Sequence, residues 1–424
     1  MRQVVTAYDI TLRMKDSDVD QLVTWITEAG LAGLGESAIL TGLCERLLAL
    51  GVPLARANVV IDTLHPVYQG RAFTWKREKM ETMLSEFGRS DDGEDRWERS
   101  PFYRLELSGE QLFRRRLTAA AISDFPIFAD LKTEAISDYI AMANRFAAEG
   151  VVGEMDCVYS SWATDAPQGF DDTIIGDLLR LMPSVALAMK SASLARIAGT
   201  LVETYLGRDA GRKVLAGSIR RGVADRIEAV LWFSDLRNYT RISDSAEPEQ
   251  IIPLLNEYAD AILSAIHDCG GDVLKLMGDG TLAIFTADGR ASACHAALAA
   301  AENARSAVAL VNQRRSGANL PTTDMYLGLH IGDVFYGNIG SRERLDFTVV
   351  GPAVNEVSRI AGLCRSVDQP LLISSAFASA IGEPRTLLVS VGRYALRGVG
   401  KPQDLYTLDR EREKPAILDD DSTQ

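Results

Sequence analysis

The sequence predicts an α+β protein of two domains, and three observations support that prediction. The first is length, because 424 residues exceed what one ordinary hydrophobic core organises. The second is the alternation of strand and helix patterns over residues 223–410, which indicates β-α-β-β-α-β with helices on one face of the sheet. The third is a long helical stretch, residues 171–222, that separates this part from residues 1–170. We therefore expect an N-terminal α/β domain, a helical connector, a C-terminal α+β domain and a disordered acidic tail at 411–424.

Composition excludes several functional classes. The chain is 47% hydrophobic and 24% charged, which is typical of globular proteins, and its net charge is −13. An acidic chain is a poor general nucleic-acid binder, because phosphate contacts need basic surface. No signal-peptide pattern opens the chain, and Lys190 interrupts the best candidate for the roughly 18 apolar residues of a membrane helix. The five cysteines and four histidines are scattered, so we expect a reduced cytoplasmic chain with no zinc site, no membrane and no nucleic-acid partner.

The N-terminal part begins with two helical patterns within residues 17–51. Residues 55–66 are typical of a strand that stops at a proline, and residues 70–75 could be its hairpin partner. Residues 76–100 are highly charged and predict a solvated loop. Residues 102–107 alternate apolar and charged side chains, which predicts a half-buried strand.

A helix at 132–148, a strand at 151–164 and a long helix at 172–206, interrupted near Pro183, complete this part. The order of elements resembles a GAF-like sensory domain, by layout alone. His65 and Trp162 could line a pocket there, although ordinary packing is the more common role of such residues.

The C-terminal part alternates more clearly. Its predicted elements are a strand at 227–234, an amphipathic helix from Pro248 to Cys269, a hairpin around Gly278-Asp279-Gly280, a helix from Ala291 to Val311, strands at 324–334 and 346–350, and a helix at 353–364. These segments supply the β-α-β-β-α-β pattern with additions.

Two acidic residues stand at structurally special points of this pattern. Asp279 lies at the tip of the hairpin, between two glycines, and Asp235 follows the strand at 227–234. Adjacent strands lie about 4.8 Å apart, so the two carboxylates can meet in space. An isolated Asp-Gly more often only makes the turn, but a pair of fixed carboxylates suits a hard divalent cation.

A third segment carries further candidates. Residues 346–350 predict a strand, Gly351-Pro352 a turn, and the next residues a helix with Asn355 and Arg359 four apart on one face.

Together these segments resemble the class III nucleotidyl cyclases. The family pattern is Phe-x-Asp-[Ile/Leu]-Arg-x-[Phe/Tyr]-Thr, then Gly-Gly with Lys-x-x-Gly-Asp-Gly, then Thr-Val-x-Gly with Val-Asn-x-x-x-Arg, and all three appear in order. The resemblance implies a ferredoxin-like catalytic domain and two Mg²⁺ or Mn²⁺ ions per site, with Asp235 and Asp279 as metal ligands. It also implies that Asn355 positions the ribose and that Arg359 stabilises the transition state.

The resemblance also assigns substrate-binding residues. Lys275 matches the residue that binds the purine edge, and Thr348 matches its partner. This pair resembles the bacterial adenylate-specific subclass, because guanylate-specific members carry an acid in place of the lysine. Arg397 stands where the family usually has a phosphate-binding lysine, so charge is kept and geometry differs. The chain departs from the family at Asn238, Pro352 and Glu356, none of which is a catalytic group.

The function implied is an adenylate cyclase that binds ATP in a homodimer, under control of a small-molecule or protein effector at the N-terminal domain. The alternatives are a guanylate cyclase, against which Lys275 and Thr348 argue, and a catalytically silent sensory or dimerisation module. A diguanylate cyclase is excluded by the missing Gly-Gly-[Asp/Glu]-[Asp/Glu]-Phe turn.

Overall fold

The computed structural model describes residues 14–88, 91–117, 124–147, 152–153, 155–382 and 388–409, with the side chains of 91–94 excepted. The chain divides into two compact units between Leu201 and Val202. The predicted tail at 411–424 lies outside the described residues.

Unit 1 is built on a six-stranded antiparallel sheet in the order β3-β2-β1-β6-β5-β4. The strands are β1 (Arg56–Asp62), β2 (Tyr68–Lys76), β3 (Glu81–Gly88), β4 (Leu112–Arg116), β5 (Asp138–Arg145) and β6 (Cys157–Thr164). The helices are α1 (Asp16–Leu31), α2 (Glu36–Ala49), α3 (Asp91–Glu98), α4 (Pro101–Ser108), α5 (Ile127–Thr133) and α6 (Asp172–Leu206).

Both faces of this sheet are buried. Helices α1, α2 and α6 cover one face, into which β1 directs Ala57, Val59 and Ile61. Helices α4 and α5 cover the other face, which receives Val60 of β1 and Tyr139 of β5. Trp162 is fully buried in the first core, so it is a packing residue, and His65 accepts turn hydrogen bonds from the backbone N–H groups of Val67 and Tyr68.

Four sequence predictions for unit 1 are wrong. The predicted loop at 76–100 contains β3, paired along its length with β2, and α3. The predicted strand at 102–107 is helix α4: Ser100 caps it by accepting a hydrogen bond from the Tyr103 N–H at 3.2 Å, and Gly109 ends it at φ 72°. A Ser-Pro start and a glycine stop were therefore stronger signals than six alternating residues.

The predicted helix at 132–148 is replaced by α5 and strand β5. Tyr139 and Ala141 of β5 face one core, whereas Ile140 and Met142 face the other. A strand buried on both faces gives a continuous apolar run, which periodicity alone cannot distinguish from a helix. The predicted interruption near Pro183 is also absent, because α6 is continuous through it.

Unit 2 contains an eight-stranded sheet in the order β13-β14-β12-β10-β7-β9-β8, with β11 paired to β10. The strands are β7 (Ala224–Leu236), β8 (Asp272–Met277), β9 (Gly280–Phe285), β10 (Met325–Gly340), β11 (Leu345–Val350), β12 (Leu371–Ser374), β13 (Leu388–Tyr394) and β14 (Gln403–Leu408). The helices are α7 (Arg208–Leu215), α8 (Tyr239–Ser245), α9 (Pro248–Asp268), α10 (Arg290–Gly317), α11 (Pro352–Leu363) and α12 (Ser375–Ala380).

The predicted β-α-β-β-α-β pattern corresponds to β7, α9, β8, β9, α10 and β10. Its four strands are antiparallel neighbours in the order β10-β7-β9-β8. Strand β7 lies at the centre and buries Val230 and Trp232 under α9 and α10.

The opposite face of this sheet is covered as well. Ala229 and Leu231 of β7 pack with Val357 of α11 and Ala210 of α7. The prediction of helices on one face is therefore wrong, because β7 is apolar on both of its faces and each face needs a cover.

Helix α6 is long and apolar enough to cross a membrane by length and composition. Its residues from Ile174 to Ile197 contribute to the core of unit 1, as a core helix does.

Candidate active site

The two acidic residues of the first and second motifs lie side by side. Asp235 is the penultimate residue of β7, and Asp279 stands in the turn between β8 and β9. Strands β7 and β9 pair up to Ser234 and Thr281, so the end of one strand lies next to the turn that begins the other. A Cβ built on Gly280 would lie 3.8 Å from an Asp235 carboxylate oxygen, and the neighbouring Asp279 carboxyl group is close enough to raise the pKa of Asp235.

Electrostatics make this pair unusual. Partial desolvation and the neighbouring Asp279 raise the pKa of Asp235 to about 7. Among the described residues, no cationic side chain forms an ion pair with either carboxylate. Two adjacent carboxylates without a cation fit a divalent metal, which would neutralise both. No third acid, His or Cys joins them within the described part of the chain, so water or substrate would supply the other ligands.

Lys275 of β8 forms an ion pair with an acidic residue that the sequence analysis did not predict. Its Nζ donates to Asp346 Oδ2 of β11 at 2.8 Å, and the contact lowers the pKa of Asp346. Thr348 lies two residues after Asp346 in β11 and therefore on the same face of the strand. Phe347 and Val349 point to the other face and are buried in the core. The alternation of polar and apolar residues in β11 could have predicted that Asp346 lies on the same face as Thr348.

Helix α11 presents Asn355 and Arg359 away from the sheet. Val357, halfway between them, is fully buried against β7 and β10, and both functional residues are exposed on the opposite side. Within the described residues, no hydrogen bond or ion pair links either of them to Asp235 or Asp279. Within one chain, the fold thus places the two carboxylates next to each other but places neither of them in contact with Asn355 or Arg359.

Arg397 lies exposed in the loop between β13 and β14. The structure brings it into no hydrogen bond or ion pair with another described residue. Its predicted role as a phosphate ligand stays a prediction.

Glu356, one of the departures from the family pattern, takes part in a buried polar chain. His330 Nε2 lies 3.1 Å from Glu356 Oε2, and His330 Nδ1 lies 2.9 Å from Ser374 Oγ. Ser374 Oγ also accepts from the Phe377 N–H at 3.2 Å. Burial lowers the pKa of His330, so a neutral ring donates from Nε2 to Glu356 and accepts the Ser374 hydroxyl proton at Nδ1. This chain ties α11 to β10 and β12.

Comparison with known proteins now identifies unit 2. Residues 224–410 match the family model of the adenylate and guanylate cyclase catalytic domain. This segment is a class III cyclase catalytic domain. The three motifs on which the family resemblance rests lie within it: the end of β7 with Asp235, the β8–β9 hairpin with Lys275 and Asp279, and β11 followed by α11.

The relatives include both named and uncharacterized proteins. An adenylate cyclase of Anabaena cylindrica is 30% identical over 190 residues, which are 44% of this chain and 37% of that protein. An uncharacterized protein of Mycobacterium tuberculosis is 31% identical over 238 residues, 55% of this chain and 41% of that protein. The chain thus spans about two fifths of the length of these relatives.

Solved structures similar to part of this chain include both adenylyl and guanylyl cyclases. The adenylyl cyclase CyaB from P. aeruginosa aligns at 24% identity and TM-score 0.41, over 44% of this chain and 96% of that chain. The guanylyl cyclase Cya2 aligns at 29% identity and TM-score 0.39, over 44% of this chain and 93% of that chain.

Proposed function

We propose that the protein is an adenylate cyclase that converts ATP into 3′,5′-cyclic AMP and pyrophosphate. The observation that supports this most strongly is the contact between the Asp235 and Asp279 carboxyl groups, which no cation among the described residues neutralises. A cyclase needs such a pair at the point where the ribose 3′-oxygen meets the α-phosphate.

Asp235 and Asp279 would hold two Mg²⁺ or Mn²⁺ ions. When bound, such ions favour the 3′-alkoxide and neutralise charge on the triphosphate. The placement of both carboxylates on a strand end and a tight turn fixes their separation before substrate arrives, which limits the reorganisation that binding requires.

Lys275 supports ATP as the substrate. Its ammonium can donate to N1 of adenine, whereas guanine presents an N1–H donor there and would leave two donors facing each other. The contact with Asp346 directs the Lys275 ammonium, and the Thr348 hydroxyl on the same face of β11 can accept from the adenine amino group.

A guanylate cyclase is the second candidate, and one observation favours it. Asp346 places a carboxylate 2.8 Å from the Lys275 ammonium, and an acid is the group that accepts from guanine N1–H. The ion pair of Asp346 with Lys275 occupies that carboxylate, which is why we prefer ATP.

Arg359 would stabilise charge on the phosphates, Asn355 would hold the ribose, and Arg397 would contact the triphosphate. Since Asn355 and Arg359 project away from their own sheet, we propose that they serve the site of a second copy. A two-fold homodimer then holds two equal sites, each with the aspartates of one chain and with Lys275, Thr348, Asn355 and Arg359 of the other.

The N-terminal part would regulate this activity in the cytoplasm. We propose that residues 1–170 form a GAF-like sensory domain for a small-molecule or protein effector, and that 171–222 transmit its state. The buried cores on both faces of the unit 1 sheet support a self-contained domain. A catalytically silent module is the remaining alternative, and the intact aspartate pair argues against it.

The test uses the purified full-length protein with Mn²⁺ and either ATP or GTP, and mass spectrometry of the products. We expect cyclic AMP from ATP at a higher kcat/KM than cyclic GMP from GTP, and no product from an Asp279→Ala variant. Preferred use of GTP would establish the second candidate. Product from neither nucleotide would establish the silent module.

A further inference from the structure

Unit 1 contains a cavity of about 650 Å³ on the sheet face opposite α1, α2 and α6. The floor is formed by β1, β2, β5 and β6, and the walls by the segment from Asp95 to Phe102 and by α5. This size lies within the range of small-molecule sites, which are commonly about 300–1,000 Å³. Apolar side chains, such as Phe87, Phe102 and Leu131, make up much of its lining.

A polar row crosses the floor of this cavity. Thr74, Asn58 and Ser161 lie directly opposite one another on β2, β1 and β6. Thr74 Oγ1 donates to Asn58 Oδ1 at 3.0 Å, which directs the Asn58 amide N–H groups elsewhere. On its other face, β1 presents only the apolar residues Ala57, Val59 and Ile61 to the core.

Arg56 stands at the end of this row, across from Ala163 of β6. Its Nε is buried and has no hydrogen-bond partner. Within the described residues, no carboxylate forms an ion pair with its guanidinium. Arg56 as a whole is half-buried, and a guanidinium whose Nε is buried without a partner is satisfied by an anion or a water at that position, so a negative charge beside it would be favourable.

The acidic residues of the lining do not supply that charge. Glu86 is bound to the buried Arg71 at 2.8 Å. Asp95 and Asp130 are exposed at the rim, where the exposed Arg96 and Arg99 balance them. The interior therefore keeps the single positive charge of Arg56.

We propose that this cavity binds a small organic anion, with a carboxylate or phosphate oxygen on Arg56 and a flat apolar body between the sheet and the wall. The Asn58 amide and the Ser161 hydroxyl are within the same floor and can bind further oxygens of the head group. Tyr139, which lies near Ser161 and whose pKa burial raises to about 12, stays neutral and can contact the anion without repulsion. Such an anion would be the effector of the sensory domain proposed above; binding itself follows from the cavity and does not depend on that sensory role.

The first experiment needs no variant. Full-length protein is titrated by calorimetry and ligand-observed NMR with benzoate, 2-naphthoate, indole-3-acetate and phenyl phosphate, each paired with a neutral amide or alcohol of the same shape. We expect at least one anion to bind about ten-fold more tightly than its neutral partner, because a charge-assisted hydrogen bond replaces a neutral one. Equal binding within every pair, or no binding in the millimolar range, overturns the proposal.

The second experiment localises the site. Arg56→Gln should remove the preference for the anion, whereas Arg96→Gln, at the exposed rim of the same cavity, should retain it. Thermal unfolding of both variants checks that they fold. Equal losses in both variants would show a diffuse electrostatic effect and refute the assignment to Arg56. Because binding is the readout, these results do not depend on cyclase activity.

Discussion

Strand β6 of unit 1 is buried along its whole length, whereas strand β8 of unit 2 is exposed over its last three residues. The polar groups of unit 1 lie in a cavity that its own helices close. The candidate catalytic groups of unit 2 lie on open surface, beside Leu276 and Phe335, which are 52% and 51% exposed. The difference supports the proposals that unit 1 completes a site alone and that unit 2 completes its site with a second copy, since exposed apolar side chains beside candidate residues are typical of an interface.

The largest expected effect comes from the aspartate pair. Asp279→Ala should lower kcat by about 100-fold or more, because it removes a ligand from the metal site and leaves Asp235 without its partner. Cyclic AMP production with saturating Mn²⁺ is the measurement. Asp288→Ala, on the exposed segment after β9, is the control and should stay near wild type. Normal turnover by the Asp279→Ala variant would disprove the metal assignment.

Mixing inactive chains tests whether unit 2 completes its site across two copies. Asp279→Ala and Arg359→Ala should each be inactive, and a mixture should regain about a quarter of wild-type activity. Random exchange makes half of the dimers heterodimers, and each heterodimer has one intact site of two.

A mixture of Asp279→Ala with Asp235→Ala is the control, because both lesions fall in the same half of the site and no intact site forms. If the first mixture stays inactive while subunit exchange is demonstrated, each chain completes its own site.

Base preference is the next test. Lys275→Glu combined with Thr348→Cys should lower the ratio of kcat/KM for ATP to that for GTP. Each substitution removes a polar group that matches adenine, and each lost hydrogen bond should weaken ATP binding by about 1–3 kcal/mol. Arg290→Glu, an exposed charge reversal at the start of α10, serves as the control and should leave the ratio unchanged. A wild-type ratio in the Lys275/Thr348 double variant would mean that another part of the pocket selects the base.

A smaller effect is expected for the polar chain beneath α11. Glu356→Ala leaves the His330 Nε2–H without its acceptor and should lower the free energy of unfolding of unit 2 by about 1–3 kcal/mol. Glu356→Gln keeps a carbonyl acceptor and should retain most of it. Thermal or urea unfolding measures the difference, and equal stability of the Ala and Gln variants would refute the contact.

The smallest effect is a pH dependence. Burial lowers the pKa of His330 in the folded state, so the unfolded chain binds the proton more readily. The contribution of neutral His330 is complete above the unfolded value of about 6.5 and is lost as pH falls below it. Unfolding between about pH 7.5 and 5 should therefore show a steeper loss of stability in wild type than in His330→Gln. Parallel curves would show that His330 does not titrate in this way.

The sequence by itself determined the family of residues 224–410 and the positions of its candidate site residues. The Gly-Asp-Gly turn, the strand that ends at Asp235 and the Asn355/Arg359 spacing are local patterns, because turn geometry and helix periodicity depend on neighbours in the chain. For the same reason, the order β-α-β-β-α-β was predictable.

Only the tertiary structure decided which segments of unit 1 are strands and which acidic and basic side chains form ion pairs. Strand β5 looks helical in sequence because it is buried on both faces, and that burial depends on helices far away in the chain. The contact of Lys275 with Asp346 spans 71 positions, and that of His330 with Ser374 spans 44. Residues so distant become neighbours only when strands of the sheet are paired, and no local pattern encodes that pairing.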